Sequence, residues 1–554
     1  MVPHLHRQNK TYRLATRLLV SKLHPTKEAR MTDALVEPGQ NIDSRMAELS
    51  VRQRYWLLIV ACLDVSLVIS SMVALNAALP DIATQTSATQ AQLTWVIDGY
   101  TLVLACLLLP AGAVGDRYGR RGALLIGLAI FSLASAAPLI FDSPVQLIVA
   151  RAVAGAGAAF IMPATLSLLT AAFPKSERNK AVGVWAGVVG SGAIVGFLVT
   201  GGLLHFWTWQ SIFVTFTIAS VGLFIVTCTV PSSRDDSAAP LDWLGAALIG
   251  TAVAAFVFGV VEAPVRGWTH PSVWGAMAGG VALAAAFTAV QLRRTHPLLD
   301  VRLFRDPNFA TGSAGVTFLF FATFGFFFVS MQYIQLIMGY SPIATAIALC
   351  PLVVPILAFG ATTHLYLPLL GLRLTAFLGL LVTAVGLWCM CTLETGSTYF
   401  DFAWPLFIMS IGVGLSTAPV TSAIMGAAPD EKQGVASAVN DTTREIGAAL
   451  GIAVAGSVLA AQYERHLSPA LGAMPEAVRG PALNSLAEAL TAAEHMGPQG
   501  AELAQTARQA FVDATGSAVI ILGSVVAVAA VLTGIWGPGR DGQQLRVIRR
   551  LRSR

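Results

Sequence analysis

The stretch Trp95–Arg121, WVIDGYTLVLACLLLPAGAVGDRYGRR, decides the fold. It is an apolar run of helix length with one carboxylate, Asp98, near its start. It closes on a knot of charge: Asp116, Arg117, Arg120 and Arg121 among Gly112, Gly115 and Gly119. A run of about 20 apolar residues is long enough to cross about 30 Å of hydrocarbon. Glycines let the chain turn tightly, and arginines anchor helix ends at lipid headgroups. The run therefore reads as a membrane-spanning helix followed by a very short turn.

The rest of the chain agrees. Of 554 residues, 55% are hydrophobic and 12% charged, and the mean hydropathy is +0.68. A soluble domain carries about twice that share of charge. Backbone groups in lipid must pair internally, so each long apolar run is a helix. The fold class expected is an all-α polytopic membrane protein. The six cysteines all fall in expected spans without metal-ligand spacing, and neither a disulfide framework nor a metal site is expected. No cofactor is expected either. Basic residues crowd the first 30 positions and the tail RVIRRLRSR. On a membrane protein they suit an anionic cytoplasmic leaflet rather than nucleic acid. An alternative is that translation starts at Met31.

Fourteen spans are expected, at about 56–79, 93–114, 122–141, 145–171, 180–203, 211–230, 242–262, 272–292, 309–331, 342–363, 371–391, 402–424, 435–461 and 514–536. One set of short loops holds nearly all the Arg and Lys, including Arg117, Lys175, Arg178, Arg234, Arg293, Arg373 and Lys432. That set is expected to be cytoplasmic, with both termini beside it, which requires an even number of spans. The chain also repeats itself. GAGAAFIMPATLSLLTAAFPKSE (155–177) and GVGLSTAPVTSAIMGAAPDE (412–431) share a Gly-x-Gly, a proline, and a second proline before a charged loop. Continued without a gap, Gly192, Ala193 and Gly196 meet Gly447, Ala448 and Gly451. The repeat joins spans 4–5 to spans 12–13. Its even offset implies two parallel six-helix halves with spans 7 and 8 inserted between them. The expected divisions are a basic cytoplasmic tail (1–55), an N-terminal half (56–230), inserted helices and linker (231–308), a C-terminal half (309–536) and a second tail (537–554). An extracytoplasmic loop at 462–513 interrupts the C-terminal half.

The knot carries a family resemblance. Gly112, Asp116, Arg117, Gly119, Arg120 and Arg121 match G-x-x-x-D-R-x-G-R-[RK], the signature of the major facilitator superfamily, at every fixed position. More narrowly, the chain resembles the fourteen-helix drug:proton antiporters, the EmrB-like and QacA-like multidrug exporters. TWVIDGYTLVLACLLLPAG, LIVARAVAGAGAAFIMP with Arg151, HPLLDVRLFRDPNF and VNDTTREIGAALGIAVAGSV carry that resemblance. It implies two pseudo-symmetric halves, and proton-driven export of lipophilic compounds from the cell membrane by a monomer, with room for an envelope accessory protein. It also implies that the knot is a conformational latch, with Asp116 near the cytoplasmic start of span 11. Two positions depart from the pattern. The first-helix motif keeps Asn76, Ala78, Leu79 and Pro80 but has Ser71 at its acidic position, and the span-5 motif keeps Gly196 and Gly201 but has Phe197 for proline.

A charge in mid-bilayer costs about 2.5–3.5 kcal/mol on insertion scales, so a retained one needs a partner or a task. Asp98 and Arg151 fall at similar depth on spans 2 and 4, and their spacing allows contact if both face inward. The pair reads as a proton-coupling element or as a permanent salt bridge, or else Asp98 is an interfacial acid capping span 2. Asp64, two turns before Ser71, reads either as a stand-in for the missing acid or as a polar core residue. Asp441, Arg444 and Glu445 form a third cluster, which an Asp441–Arg444 pair could make purely structural. Asn76, Phe324, Phe328, Met331 and Arg444 are candidates to line a substrate cavity, and Gly192, Gly196 and Gly201 to pack span 5. No nucleophile–base constellation points to an enzyme. The competing functions are export of an endogenous lipid or secreted metabolite, a facilitator or importer of a small polar solute, which would need more buried polar residues in spans 1, 4 and 7, and a non-transporting membrane receptor or scaffold.

Overall fold

The computed structural model describes residues 49–544, apart from 87, 89, 141–142, 234–239, 473, 498–499, 541 and 543. Most of both basic tails and Arg234 thus lie outside the described residues, as do the expectations placed on them. Among the described residues thirteen long helices follow one another: α1 (Val51–Ala74), α2 (Gln90–Tyr118), α3 (Arg120–Ala136), α4 (Pro144–Ala172), α5 (Lys175–Phe206), α6 (Gln210–Thr227), α7 (Trp243–Arg266), α8 (Pro271–Gln291), α9 (Pro307–Gln332), α10 (Val353–Cys389), α11 (Tyr399–Ala427), α12 (Gln433–Leu467) and α13 (Gly500–Trp536).

α10 is two crossings in one. With the short helix Pro342–Ala348 before it, the apolar stretch Pro342–Thr392 has 51 residues. Straight, it would be about 75 Å long, more than twice the hydrocarbon thickness. It breaks at Gly371, whose φ of +75° and ψ of 166° are open to glycine and reverse the chain. The thirteen long helical stretches are therefore fourteen crossings, and α11, α12 and α13 are spans 12, 13 and 14. The break is braced by the chain after α13: the Arg373 N–H donates to Pro538 O at 3.1 Å.

Helix starts follow local sequence. Ser50 and Gln53, Ser143 and Gln146, and Thr398 and Asp401 form capping boxes on α1, α4 and α11, each satisfying N–H groups that have no partner inside the helix. Asp306 with Pro307 starts α9 in a similar way. Only Gly119, at φ +115°, separates α2 from α3. The face carrying this turn is called the latch face below; the opposite one is the far face.

Within the N-terminal half, α5 packs on α1 through the span-5 glycines. A Cβ on Gly192 would lie 2.9 Å from Ile69, and one on Gly196 would lie 2.8 Å from Ser70 Cα. Gly447 and Gly451 on α12 approach the backbone of Thr317 and Phe321 on α9 in the same manner. The repeated glycines therefore make the equivalent contact in each half. Phe197 breaks nothing, for α5 runs 32 residues as one helix. The far-face loop is shorter than expected. α12 extends to Leu467 and α13 begins at Gly500, so the expected 462–513 loop reduces to 468–499, with short helices at Glu476–Asn484 and Leu486–His495.

Candidate transport site and latch

The knot bridges the two halves. Asp116, at the end of α2, accepts from the backbone N–H groups of Gly434 (2.8 Å) and Val435 (3.0 Å) on α12. These are among the unpaired donors of a helix N-terminus, where the helix dipole also favours an anion. Lys432, the residue in the N-cap position of α12, supplies no side-chain cap; Asp116 supplies one from the other half. The helix it caps is span 13, not span 11 as expected. The two inserted helices push the C-terminal half two places along the chain, which accounts for the shift.

Asp116 is buried, and Arg120 answers its charge at 2.9 Å. A buried carboxylate needs such a partner to offset its desolvation. Arg120 also donates to Ser233 Oγ at 3.2 Å and to Asp430 O, in the C-terminal half, at 3.0 Å. Arg121 holds Val230 O at 3.1 Å. Gly112 and Gly434 permit the approach: a Cβ on Gly434 would lie 2.6 Å from an Asp116 oxygen. A second ion pair, Arg178–Asp430 at 2.9 Å, spans the halves nearby but is partly exposed. Beside the latch a cavity of about 270 Å³ is lined by Asp116, Arg117, Asp242, His296, Asp300 and Lys432, among others.

Arg151 does not pair with Asp98. Its guanidinium donates to Ser71 Oγ (2.9 Å), Ser71 O (3.1 Å) and Val96 O (3.2 Å), and lies 4.2 Å from the Tyr100 ring centroid. Helix geometry explains the correction. Tyr100 faces Arg151, and Asp98, two residues earlier, is rotated about 200° away. Asp98 is half-buried on the side toward α7, with Glu262 as a neighbouring charge. Ser71, at the family's acidic position, thus receives the arginine through its hydroxyl and carbonyl.

Asp64 is fully buried between α1 and α6. Thr227 Oγ1 donates to its Oδ2 at 3.4 Å, while Oδ1 has no hydrogen-bond partner. Asn76 is exposed in the turn after α1 and donates to Val73 O at 3.0 Å. Met331 and Phe328 are half-buried, and Phe328 packs near Gly456 of α12.

The third cluster lies where the halves meet. Asp441, Arg444 and Glu445 are all buried on α12. Arg444 sits 4.9 Å from the Trp185 ring of α5 and 5.0 Å from the Phe320 ring of α9. Phe320 stacks in turn on Phe324 at 5.9 Å. Arg444 approaches Asp441 at 3.5 Å, but its Nε and Nη2, the Asp441 Oδ2 and the Asn440 Oδ1 have no hydrogen-bond partner. Glu445 lies within electrostatic range of Tyr100, the residue that carries Arg151. The structure thus places the Arg151 centre where α4 meets α1 and α2, and the Arg444 centre where α12 meets α5 and α9. Sequence reading missed the parts played by Tyr100, Trp185, Ser233 and Gly434. Gly434 lies five residues after Pro429, and nothing in the repeat singled it out, since Asn179 stands at the matching position. Among the described residues no three His, Cys, Asp or Glu side chains come together as metal ligands.

Comparison with known proteins places this architecture. The Major Facilitator Superfamily profile matches residues 58–452. The multidrug resistance protein Stp of Mycobacterium tuberculosis (strain CDC 1551 / Oshkosh) is 33% identical over 77% of this chain and 80% of its own length. The methyl viologen resistance protein SmvA of Salmonella typhimurium (strain LT2) is 31% identical over 88% of this chain and 98% of its own. The tetracenomycin C resistance and export protein of Streptomyces glaucescens is 31% identical over 74% and 77%. A bacterial homologue of the human lysosomal transporter Spinster, solved inward-facing and unoccupied, superposes with a TM-score of 0.56 at 16% identity, covering 90% of this chain and all of that one. With the family profile matched over most of its length and relatives of 31–33% identity covering 74–88% of it, the chain belongs to the major facilitator superfamily, among relatives named for multidrug resistance and export.

Proposed function

We propose that this transporter exports lipophilic or amphipathic small molecules across the cell membrane against inward proton movement, acting as a monomer with the latch face and both termini cytoplasmic. The observation that carries the reading is the buried Asp441–Arg444–Glu445 cluster at the junction of the halves, two acids and one base with polar atoms left unpaired. A buried charge that serves only packing is usually satisfied. This one lies where rocking of the halves changes its surroundings, as a coupling group requires. The aromatic wall of Trp185, Phe320 and Phe324 beside it suits a flat or cationic lipophile.

Asp98 and Glu445 are the proposed proton carriers, one toward α7 and one toward the interface. Arg151 holds α4 to α1 and α2. Asp64, enclosed by α1 and α6 and touched by Thr227, is proposed as a structural acid. The uptake of ethidium into inverted vesicles under an imposed pH gradient tests these roles. Glu445→Gln and Asp98→Asn should each lose gradient-driven uptake, while Asp64→Asn should keep it with a lower melting temperature. Uptake and proton flux that survive both Glu445→Gln and Asp98→Asn would remove the proposed carriers. The relative named for tetracenomycin C export favours a second reading, a dedicated exporter of one secreted metabolite. Under that reading ethidium is not taken up by any variant, and the producing cell's own extract supplies the substrate.

A further inference from the structure

The two halves meet the bilayer along two seams, α2 against α12 and α5 against α10. The inserted helix α7 lies over the first. Toward α2, a Cβ on Gly250 would come 2.9 Å from the Cys106 carbonyl oxygen, and Trp95 stacks on Phe258 at 6.2 Å. Toward α12, Ala105 of α2 and Val253 and Val257 of α7 form one apolar cluster with Ile446 and Ala449. At the far face the chain leaving α7 stays on α12: Pro264 approaches Gly456, and Trp268 Nε1 donates to Ser457 Oγ at 2.8 Å. α7 therefore grips both sides of the seam along most of its length. α8 packs on the outside of α7 and is largely exposed.

The α5/α10 seam has no such cover. Gly183 lies against Gly360, Gly190 against Ile356 and Gly201 against Ile343. Among the described residues no side-chain hydrogen bond or ion pair crosses it. Leu357, which touches Gly187, is 40% exposed, and Val354 one turn away is 64% exposed. Val195 and Val199 on α5 are each 43% exposed. These surfaces face the space lipid tails fill.

We propose that α7 is a fixed side wall that closes the α2/α12 seam to the bilayer, so that lipophilic substrate drawn from the membrane enters through the α5/α10 seam alone. The two seams differ in what must be broken to admit a molecule. At α5/α10 only van der Waals contacts separate, and glycines let them close again. At α2/α12 an entering molecule would have to displace a whole helix held by both halves. The substrate class rests on the function proposed above; the wall does not.

Carbene footprinting of the full-length protein in proteoliposomes tests it. A trifluoromethyl-phenyl diazirine partitions into the bilayer and marks lipid-accessible side chains whether or not anything is transported. Adducts are expected on Val354, Leu357, Val195 and Val199, and none on Ala105, Ile446 or Ala449. Adducts on those three in the native chain overturn the proposal. Gly250→Leu should push α7 from α2 and produce adducts at Ala105. Val253→Ala with Val257→Ala loosens the same contact without steric load and should do so more weakly. A second probe, an aryl-azide derivative of ethidium photolysed under a pH gradient, should mark α5 and α10; marks on α2 or α12 overturn the route. If that probe is not transported, the proposed function fails and the carbene footprint still decides the wall.

Discussion

The two seams begin from similar backbone geometry and end with different chemistry. On one, a Cβ on Gly112 would lie 2.8 Å from Ala438 of α12; on the other, Gly183, the repeat equivalent of Ala438, lies against Gly360 of α10. Both use small residues to bring helices from opposite halves into backbone contact. Only the first adds charge: Asp116 caps α12, and Arg120 ties that carboxylate to Asp430 and Ser233. Close packing is thus common to both seams, whereas a polar lock appears on one. A transporter that rocks needs a closed state deep enough to occupy and shallow enough to leave. The proposed division gives the depth to the latch and the ease of separation to the glycine seam, and the variants below test it.

The comparison breaks most sharply at Asp116. Asp116→Ala leaves Arg120 buried without its carboxylate and the α12 N-terminus uncapped, a loss of about 3–5 kcal/mol by analogy with broken buried pairs. Transport should be abolished, and a cysteine placed at Ser437 should become reactive to a membrane-impermeant maleimide from the latch face. The double exchange Asp116→Arg with Arg120→Asp should not rescue it. An ordinary ion pair would survive that exchange, but an arginine has no acceptor to offer Gly434 and Val435. Recovery of transport in the double variant would reduce the latch to a simple charge pair.

A smaller effect is expected on the other side. Gly183→Ala places a methyl against the Gly360 carbonyl, an overpacking cost of about 1–3 kcal/mol. It should slow transport and shift spin-label distances between α5 and α10, while the latch cysteine stays protected. If the latch opens as well, the seams are not separable. The smallest effect belongs to Arg178→Ala. Its pair with Asp430 is partly exposed, and such pairs contribute about 0.2–1 kcal/mol. Transport should fall only slightly, and the difference from the native protein should vanish in high salt.

Much of this was legible in the chain because the bilayer simplifies it. Apolar length fixed the crossings, the even count followed from basic loops, and the latch residues were visible as a motif whose glycines and acid have no purely topological use. What sequence could not supply was azimuth. Asp98 and Arg151 sit at matching depth, yet depth says nothing of which way a side chain leaves an apolar helix, and helices that are apolar all round give no stripe to orient them. Ser71 looked like a lost acid. Its hydroxyl and carbonyl turn out to satisfy the arginine that an acid would have met. The α12 cluster was visible as three charges, but its place between Trp185 and Phe320 depends on contacts between distant parts of the chain.

The cap on α12 also sets an order of events during synthesis. Asp116 precedes Gly434 by 318 residues. At about 5–20 residues per second, roughly tens of seconds separate the emergence of the acid from that of the helix it caps. Throughout that interval Arg120, one turn away and already made, can hold the carboxylate. The arginine is thus a chaperone to its neighbour before it is part of a lock, and a variant lacking it should lose yield of inserted protein as well as transport.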